Sequence, residues 1–230
     1  MENNVKTSLD VVTVDGPAGA GKSVATKALA SRLGIEYLNT GAMYRAIALR
    51  ALRDGIDLND ASALTEIARN SKIETRDGRT FLDGEDATDA VRAPEVSRAV
   101  RFPANAPSVR AIMVKLQRQI GCARPVATEG RDQGTVVFPD ARCKFYLTAS
   151  PEERARRRLG ELVARGQAAP LEEILAQIVE RDRLDSEREV GPLREPQDAI
   201  RLETDGLSID QVVDKMESFA RARLSIFNAR

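Results

Sequence analysis

Histidine is absent from the 230 residues, which excludes every Ser-His-Asp or Cys-His nucleophilic arrangement and every His-ligated zinc site. Cysteine occurs twice, at Cys122 and Cys143, far apart and outside any C-x-x-C pattern, so two free thiols in a reducing compartment are expected. Net charge is lacking as well. The 35 basic residues balance 35 acidic ones, the isoelectric point is near 6.5, and no global basic field argues for nucleic acid or a membrane surface. No apolar run approaches the length of a membrane span, and Met1 to Ser8 has no hydrophobic leader segment. A soluble, cytoplasmic chain with no nucleic-acid or membrane partner is the expectation. Lysine is scarce: seven of the basic residues are lysine and 28 are arginine. The planar guanidinium suits bidentate phosphate recognition, yet a genomic bias toward arginine codons gives the same count, so the positions must decide.

What the chain does have is Gly16-Pro17-Ala18-Gly19-Ala20-Gly21-Lys22-Ser23, which meets the phosphate-loop pattern G-x-x-x-x-G-K-[ST] at every fixed position. Leu9, Val11, Val12 and Val14 ahead of it read as a buried parallel strand. Ala25, Ala28, Leu29 and Leu33 behind it recur at helical spacing, with Gly34 as the stop. Glycines at these positions let several backbone N–H groups turn inward toward a polyphosphate, and the following helix adds its positive dipole end. Residues Gly16 through Ser23, with Val24 beside them, are the candidate ATP-binding set. Lys22 is expected on the β- and γ-phosphates and the Ser23 hydroxyl on Mg²⁺.

The length suits one α/β domain with insertions. The segment from Tyr37 to Arg45 is a short extended piece that breaks at Gly41 and enters an alanine-rich helix ending near Gly55. Thr40, Tyr44 and Arg45 thus gather at a helix start, either as a second anion site or as an N-cap beside a core aromatic. Ile73–Arg76, Asp77-Gly78 and Arg79–Leu82 form an Asp-Gly hairpin, with a second turn at Asp83-Gly84. Such an antiparallel sheet does not easily join a parallel core, so residues 58–102 read as an inserted substrate-side subdomain. Ser108 is the expected N-cap of a helix whose stripe is Val109, Ile112, Met113, Leu116 and Ile120, ending at Gly121. Arg110 lies off that stripe, facing either a cleft or solvent.

Pro125–Thr128 reads as a core strand running into Glu129-Gly130-Arg131-Asp132-Gln133-Gly134. Ligands in open parallel sheets bind beyond the carboxyl ends of strands, which makes this cluster a site. Glu129 there is suited to act through Mg²⁺-bound water. A local salt bridge between Arg131 and Asp132 is the competing account. Lys144–Thr148 is a further strand. Ser150-Pro151-Glu152-Glu153 starts a helix carrying Arg154, Arg156, Arg157 and Arg158, with Arg165 in its last turn. These arginines read as a lid over a polyphosphate or as a solvated face balanced by Glu152, Glu153 and Glu161. Leu171, Ile174, Leu175 and Ile178 form a core stripe, and the same face continues to Arg181, Asp185 and Arg188, as a cleft-lining face or an exposed ion-pair ladder. Ala199–Thr204 supplies a last strand, and a closing helix follows the Ser208 cap.

In this order the motifs resemble the bacterial cytidylate kinases over Val11 to about Leu224. The likeness rests on Asp15 through Lys22, on Thr40–Arg45, on Gly130–Asp140 with its Gly130-Arg131-Asp132-Gln133-Gly134 start, and on Glu180-Arg181-Asp182 with Asp185 and Arg188. The resemblance implies a phosphate-loop NTPase fold: a parallel sheet flanked by helices, an inserted antiparallel substrate-binding subdomain and a helical lid. It implies transfer of a phosphoryl group from ATP, bound with Mg²⁺, to CMP or dCMP. It places Thr40, Tyr44, Arg45, Arg110, Arg131, Asp132, Arg181, Asp185 and Arg188 on the acceptor nucleotide, with Arg110 and Asp132 at the cytosine edge and Asp185 at the sugar. Lys22, Arg131, Arg154, Arg157, Arg158 and Arg188 are the candidate catalytic residues. Departures from the family pattern are Glu129 for aspartate, Thr40 for serine, Arg101 for a small polar residue and Gln133 for methionine.

The expected divisions are core at 1–57, insert at 58–102, core at 103–150, lid at 151–170 and core again at 171–230, in a monomer. A kinase for another nucleoside monophosphate or small metabolite is the alternative within the class. A GTP-ordered switch is the alternative outside it, and no N-K-x-D guanine-reading motif is present.

Overall fold

The computed structural model describes residues 10–76, 78–164, 166–167 and 169–228. Leu9, Asp77 and Arg165, named above, lie outside them. β1 (Val11–Asp15) leads into α1 (Lys22–Leu33), then β2 (Glu36–Asn39) and α2 (Thr40–Arg53). Next come α3 (Ala61–Asn70), β3 (Ile73–Arg76), β4 (Arg79–Leu82), β5 (Glu85–Asp86), α4 (Pro94–Ala99) and α5 (Arg101–Asn105). The chain continues with α6 (Pro107–Ala123), β6 (Val126–Gly130), a π-helical turn at Gln133–Val137 and β7 (Cys143–Thr148). α7 (Pro151–Val163), α8 (Leu171–Glu187), β8 (Ile200–Glu203), α9 (Ile209–Arg223) and the short α10 (Ser225–Asn228) complete it.

Five strands form a parallel sheet in the order β2-β6-β1-β7-β8, with β1 at its centre. Side chains alternate across the sheet, so neighbours in sequence serve opposite faces. Val11, Leu38 and Val126 face α2 and α6, whereas Val12, Val14, Ala127, Phe145 and Leu147 face α1 and α9. The inner strands β1, β6 and β7 are buried on both faces because helices cover both, whereas the edge strand β8 exposes Arg201 and Glu203. A separate three-stranded antiparallel sheet, β3-β4-β5, forms the insert. It is not detached: Leu64, Ile73, Leu82, Val91 and Val96 share one cluster with Met43, Ile47 and Met113.

Several local readings change. The cap of α2 is Asn39, whose side chain accepts the Ala42 amide, and this releases the Thr40 hydroxyl to donate to the Glu129 carbonyl at 2.7 Å. α6 starts at Pro107, and Ser108 bonds Thr65 Oγ1 at 2.6 Å instead of capping. Gly121 does not end that helix. A Cβ there would lie 2.7 Å from the Phe138 ring, so the position is small to admit a core aromatic. The stripe of Ile174, Leu175 and Ile178 packs on Ala155, Leu159 and Leu162, making α7 and α8 a helical hairpin with its own small core. Ser208 caps α9 as expected, in a reciprocal box with Gln211.

Candidate active site

β1 ends at Asp15, and the chain must turn at once to reach α1. Gly16 makes that turn at φ +143°, where a Cβ would overlap the carbonyl oxygen of Leu147 on β7. Gly19 and Gly21 follow at φ +79° and +84°. The loop's amides and the N-terminus of α1 therefore face one concavity, the arrangement that binds phosphate. Lys22 is buried with its Nζ donating to the Pro17 carbonyl at 2.6 Å. Burial, and then Arg131, push its pKa down to about 7, against the attraction of Glu129 and Asp15. Among the described residues no carboxylate lies within ion-pair distance of its Nζ.

Ser23 donates to Glu129 Oε1 at 2.8 Å, and Tyr37 donates to the same oxygen at 3.4 Å. Glu129, the penultimate residue of β6, thus lies against the phosphate loop. A hydroxyl and a carboxylate oxygen in contact are hard donors that fit Mg²⁺, which takes few protein ligands and keeps water and phosphate oxygens. Asp15, which sequence reasoning did not single out, accepts the amides of Gln133 and Gly134 at 2.8 and 2.7 Å on its two oxygens. Burial pushes it up to about 7 while those two amides favour its charged form. The pair of bonds fixes the turn after β6 to the strand that carries the phosphate loop.

That turn separates neighbours. Arg131 Nε bonds Asp185 on α8 at 2.6 Å, whereas Asp132 pairs with Arg110 on α6, so the local Arg131–Asp132 salt bridge does not form. Arg110 is 3% exposed and stacks over the Tyr44 ring at 5.6 Å. It is neither a solvated nor a cleft-exposed arginine in this state. Arg45 and Arg181 have no hydrogen bond or ion pair among the described residues. Burial draws Arg45, Arg181 and Arg188 below the usual arginine range. Burial opposes the charge on Arg131 too, but Asp185 outweighs it and holds the group up. Asp185 itself is desolvated, yet Arg131, Arg181 and Arg188 keep it below the usual carboxylate range. Arg45, Arg110, Arg131, Arg181 and Arg188 face Asp132, Asp185 and Glu129, five guanidiniums to three carboxylates, and this shortage of negative charge suits a phosphate dianion.

The arginines of α7 divide. Arg154 is buried and reaches the Ala18 carbonyl of the phosphate loop at 3.1 Å and Asp182 at 2.6 Å. Arg157 bonds Thr204 Oγ1 at 3.0 Å and its carbonyl at 2.6 Å, at the end of β8. Arg158 bonds Glu161 alone among the described residues and stays exposed. Val24 is exposed at the start of α1. Arg101, a departure from the pattern, lies over the Phe102 ring at 4.8 Å. Gln133, another departure, is buried between Thr128 and Gln117, 3.0 and 3.3 Å away.

Comparison with known proteins identifies the family. The family model described as cytidylate kinase matches residues 12–222. A cytidylate kinase of Caldanaerobacter subterraneus subsp. tengcongensis is 49% identical over 205 residues, covering 89% of this chain and 92% of that protein. A bifunctional pantoate ligase/cytidylate kinase of Synechococcus sp. (strain CC9311) is 49% identical over 224 residues. The alignment there covers 95% of this chain and 45% of the relative, so the chain spans about half the length of that bifunctional protein. An uncharacterized protein from Eubacterium ventriosum ATCC 27560 shares the fold alone, with TM-score 0.52 and 10% identity over 93% of this chain and 98% of that one. With a phosphate loop, an arginine cage across from it and this degree of identity over nearly its whole length, the chain belongs to the cytidylate kinase family.

Proposed function

We propose that the chain transfers the γ-phosphoryl group of ATP to CMP and dCMP, giving ADP and the corresponding diphosphate. The observation that carries this reading is the unpaired guanidinium pair, Arg45 and Arg181, set with Arg131 and Arg188 opposite a loop that already holds Lys22 and Ser23. One cradle grips a triphosphate and the other a monophosphate. The acceptor is an anion at neutral pH, so no general base is required, in keeping with a chain that has no histidine. Ser23 and Glu129 would hold Mg²⁺, which would supply positive charge to offset that of the phosphates. Lys22 and the cage arginines align two mutually repelling anions and neutralise the moving phosphoryl group. Arg110 and Asp132 present a donor and an acceptor to the cytosine edge. Arg154, Arg157 and Arg158 close over the phosphates and exclude water, Arg158 having the least to give up. The enzyme works in the cytoplasm as a monomer.

ADP release measured with CMP, dCMP, UMP, AMP and GMP tests the assignment: the two cytosine nucleotides are expected to lead, and turnover led by another acceptor would replace it. In the same assay Asp185→Ala is expected to raise the KM for CMP tenfold or more and leave the KM for ATP nearly unchanged. The carboxylate that aims Arg131 and reaches the sugar is lost, while the phosphate loop is untouched. ATP binding is also expected to take up a proton at pH 8. Lys22 is held down to about 7 in the free protein, and bound phosphates favour its charged form. Affinity then falls as pH rises above 7, and the binding heat differs between buffers of low and high ionisation enthalpy. Equal heats in Pipes and Tris would remove the linkage.

A further inference from the structure

The nine residues from Asp185 to Leu193 end α8 and turn back on the acceptor side of the site. Leu193 N donates to the Asp185 carbonyl at 2.7 Å, and Arg188 Nε donates to the Gly191 carbonyl, so the turn is closed by two residues of the cage. At its tip Gly191 adopts φ +61°. A Cβ on Gly191 would overlap both Arg110 Nη2 and Asp132 Oδ2. The tip therefore sits in contact with the two charged heads assigned above to the base edge, whose side chains are 4% and 6% exposed. Leu193, at the end of the turn, also lines a cleft of about 480 Å³ with Pro17, Tyr146, Asp182 and Ser186, so the turn borders space into which it can withdraw.

We infer that Gly191 is a positioning residue of the acceptor site: its backbone caps the Arg110–Asp132 pair in the free protein and must lift before a nucleobase reaches that pair. The inference rests on the acceptor-site reading above. Two groups this buried cannot be hydrogen-bonded by an incoming base while the cap is seated. Only the fraction of molecules with the turn lifted is competent, and the apparent affinity is reduced by that fraction. The reduction is the same for every base that uses the pair. Glycine is required at the tip on two counts, since any side chain both meets the pair and prefers φ below zero.

Gly191→Ala and Gly191→Asn separate these counts, because asparagine tolerates the left-handed backbone and still adds the Cβ. The experiment measures the calorimetric Kd for CMP and the steady-state KM for CMP, UMP and ATP, with Tm recorded alongside. Gly191→Asn, and Gly191→Ala where it keeps the parent Tm, are expected to bind CMP at least threefold more tightly. Their KM values for CMP and UMP fall by the same factor, and the KM for ATP does not change. Weaker or unchanged CMP binding in Gly191→Asn overturns the inference, as does a changed ratio of CMP to UMP, which would make the turn a wall of the pocket. Failure of the parent protein to bind CMP at all would instead overturn the acceptor-site reading itself.

Discussion

Lys22→Ala is expected to lower kcat by at least about a hundredfold, the loss seen when one preorganised group aimed at developing charge is removed. The argument for a selective effect is structural. Among the described residues the Lys22 side chain makes one hydrogen bond, to the Pro17 carbonyl within the same loop. Burial pushes its pKa down to about 7, so holding it charged destabilises the fold, and the alanine variant is expected to melt no lower than the parent. The pH dependence follows. Well below pH 7 both the folded and the unfolded chain carry the proton, and the full penalty is present. Between 7 and about 10 the unfolded chain alone keeps it, so stability rises with pH and the variant's advantage shrinks. Thermal melts across that range, beside single-turnover rates, test both halves. A variant that melts lower and retains turnover would assign Lys22 to the fold instead of the reaction.

Arg110→Met and Asp132→Leu, made singly, are expected to cost about 3–5 kcal/mol of stability, the usual effect of stranding one member of a buried ion pair. At this chain length that is a fall in Tm of roughly 10 °C. The pair is well suited to the test, since Arg110 is 3% and Asp132 4% exposed and the surroundings include the Tyr44 ring. Made together, the two substitutions replace opposed charges by apolar groups of similar volume and restore most of the loss. CMP-dependent turnover is absent in all three variants, because the base edge has lost its donor, its acceptor or both. Recovery of stability without recovery of activity is the signature of a pair kept for recognition. Recovery of both would mean that the pair only fills the core.

The sequence made the phosphate loop and its flanking elements legible because glycine positions and hydrophobic period carry local information. Gly16 to Ser23 sits between β1 and α1 as the pattern requires, and the runs read as paired strands form the separate antiparallel sheet β3-β4-β5. Partner choice was not legible. Arg131 and Asp132 are adjacent in sequence, but a strand end followed by a π-helical turn sends their side chains to different elements, one to Asp185 and the other to Arg110. Asp15 and Gly191 escaped for a related reason. One acts by accepting two amides from a remote turn and the other by lacking a side chain, and neither leaves a pattern in residue spacing. The apolar stripe of α8 was visible, yet whether it meets the sheet or another helix is decided by the geometry of the α7–α8 hairpin.

The central claim is that two facing cradles bind two different phosphates. A crystal structure with CMP and a non-hydrolysable ATP analogue tests it most directly. The account places the β- and γ-phosphates on the amides of Gly16 to Ser23 beside Lys22, with the CMP phosphate among Arg45, Arg131, Arg181 and Arg188. An arginine cage without CMP phosphate, in crystals whose phosphate loop holds the analogue, would contradict it.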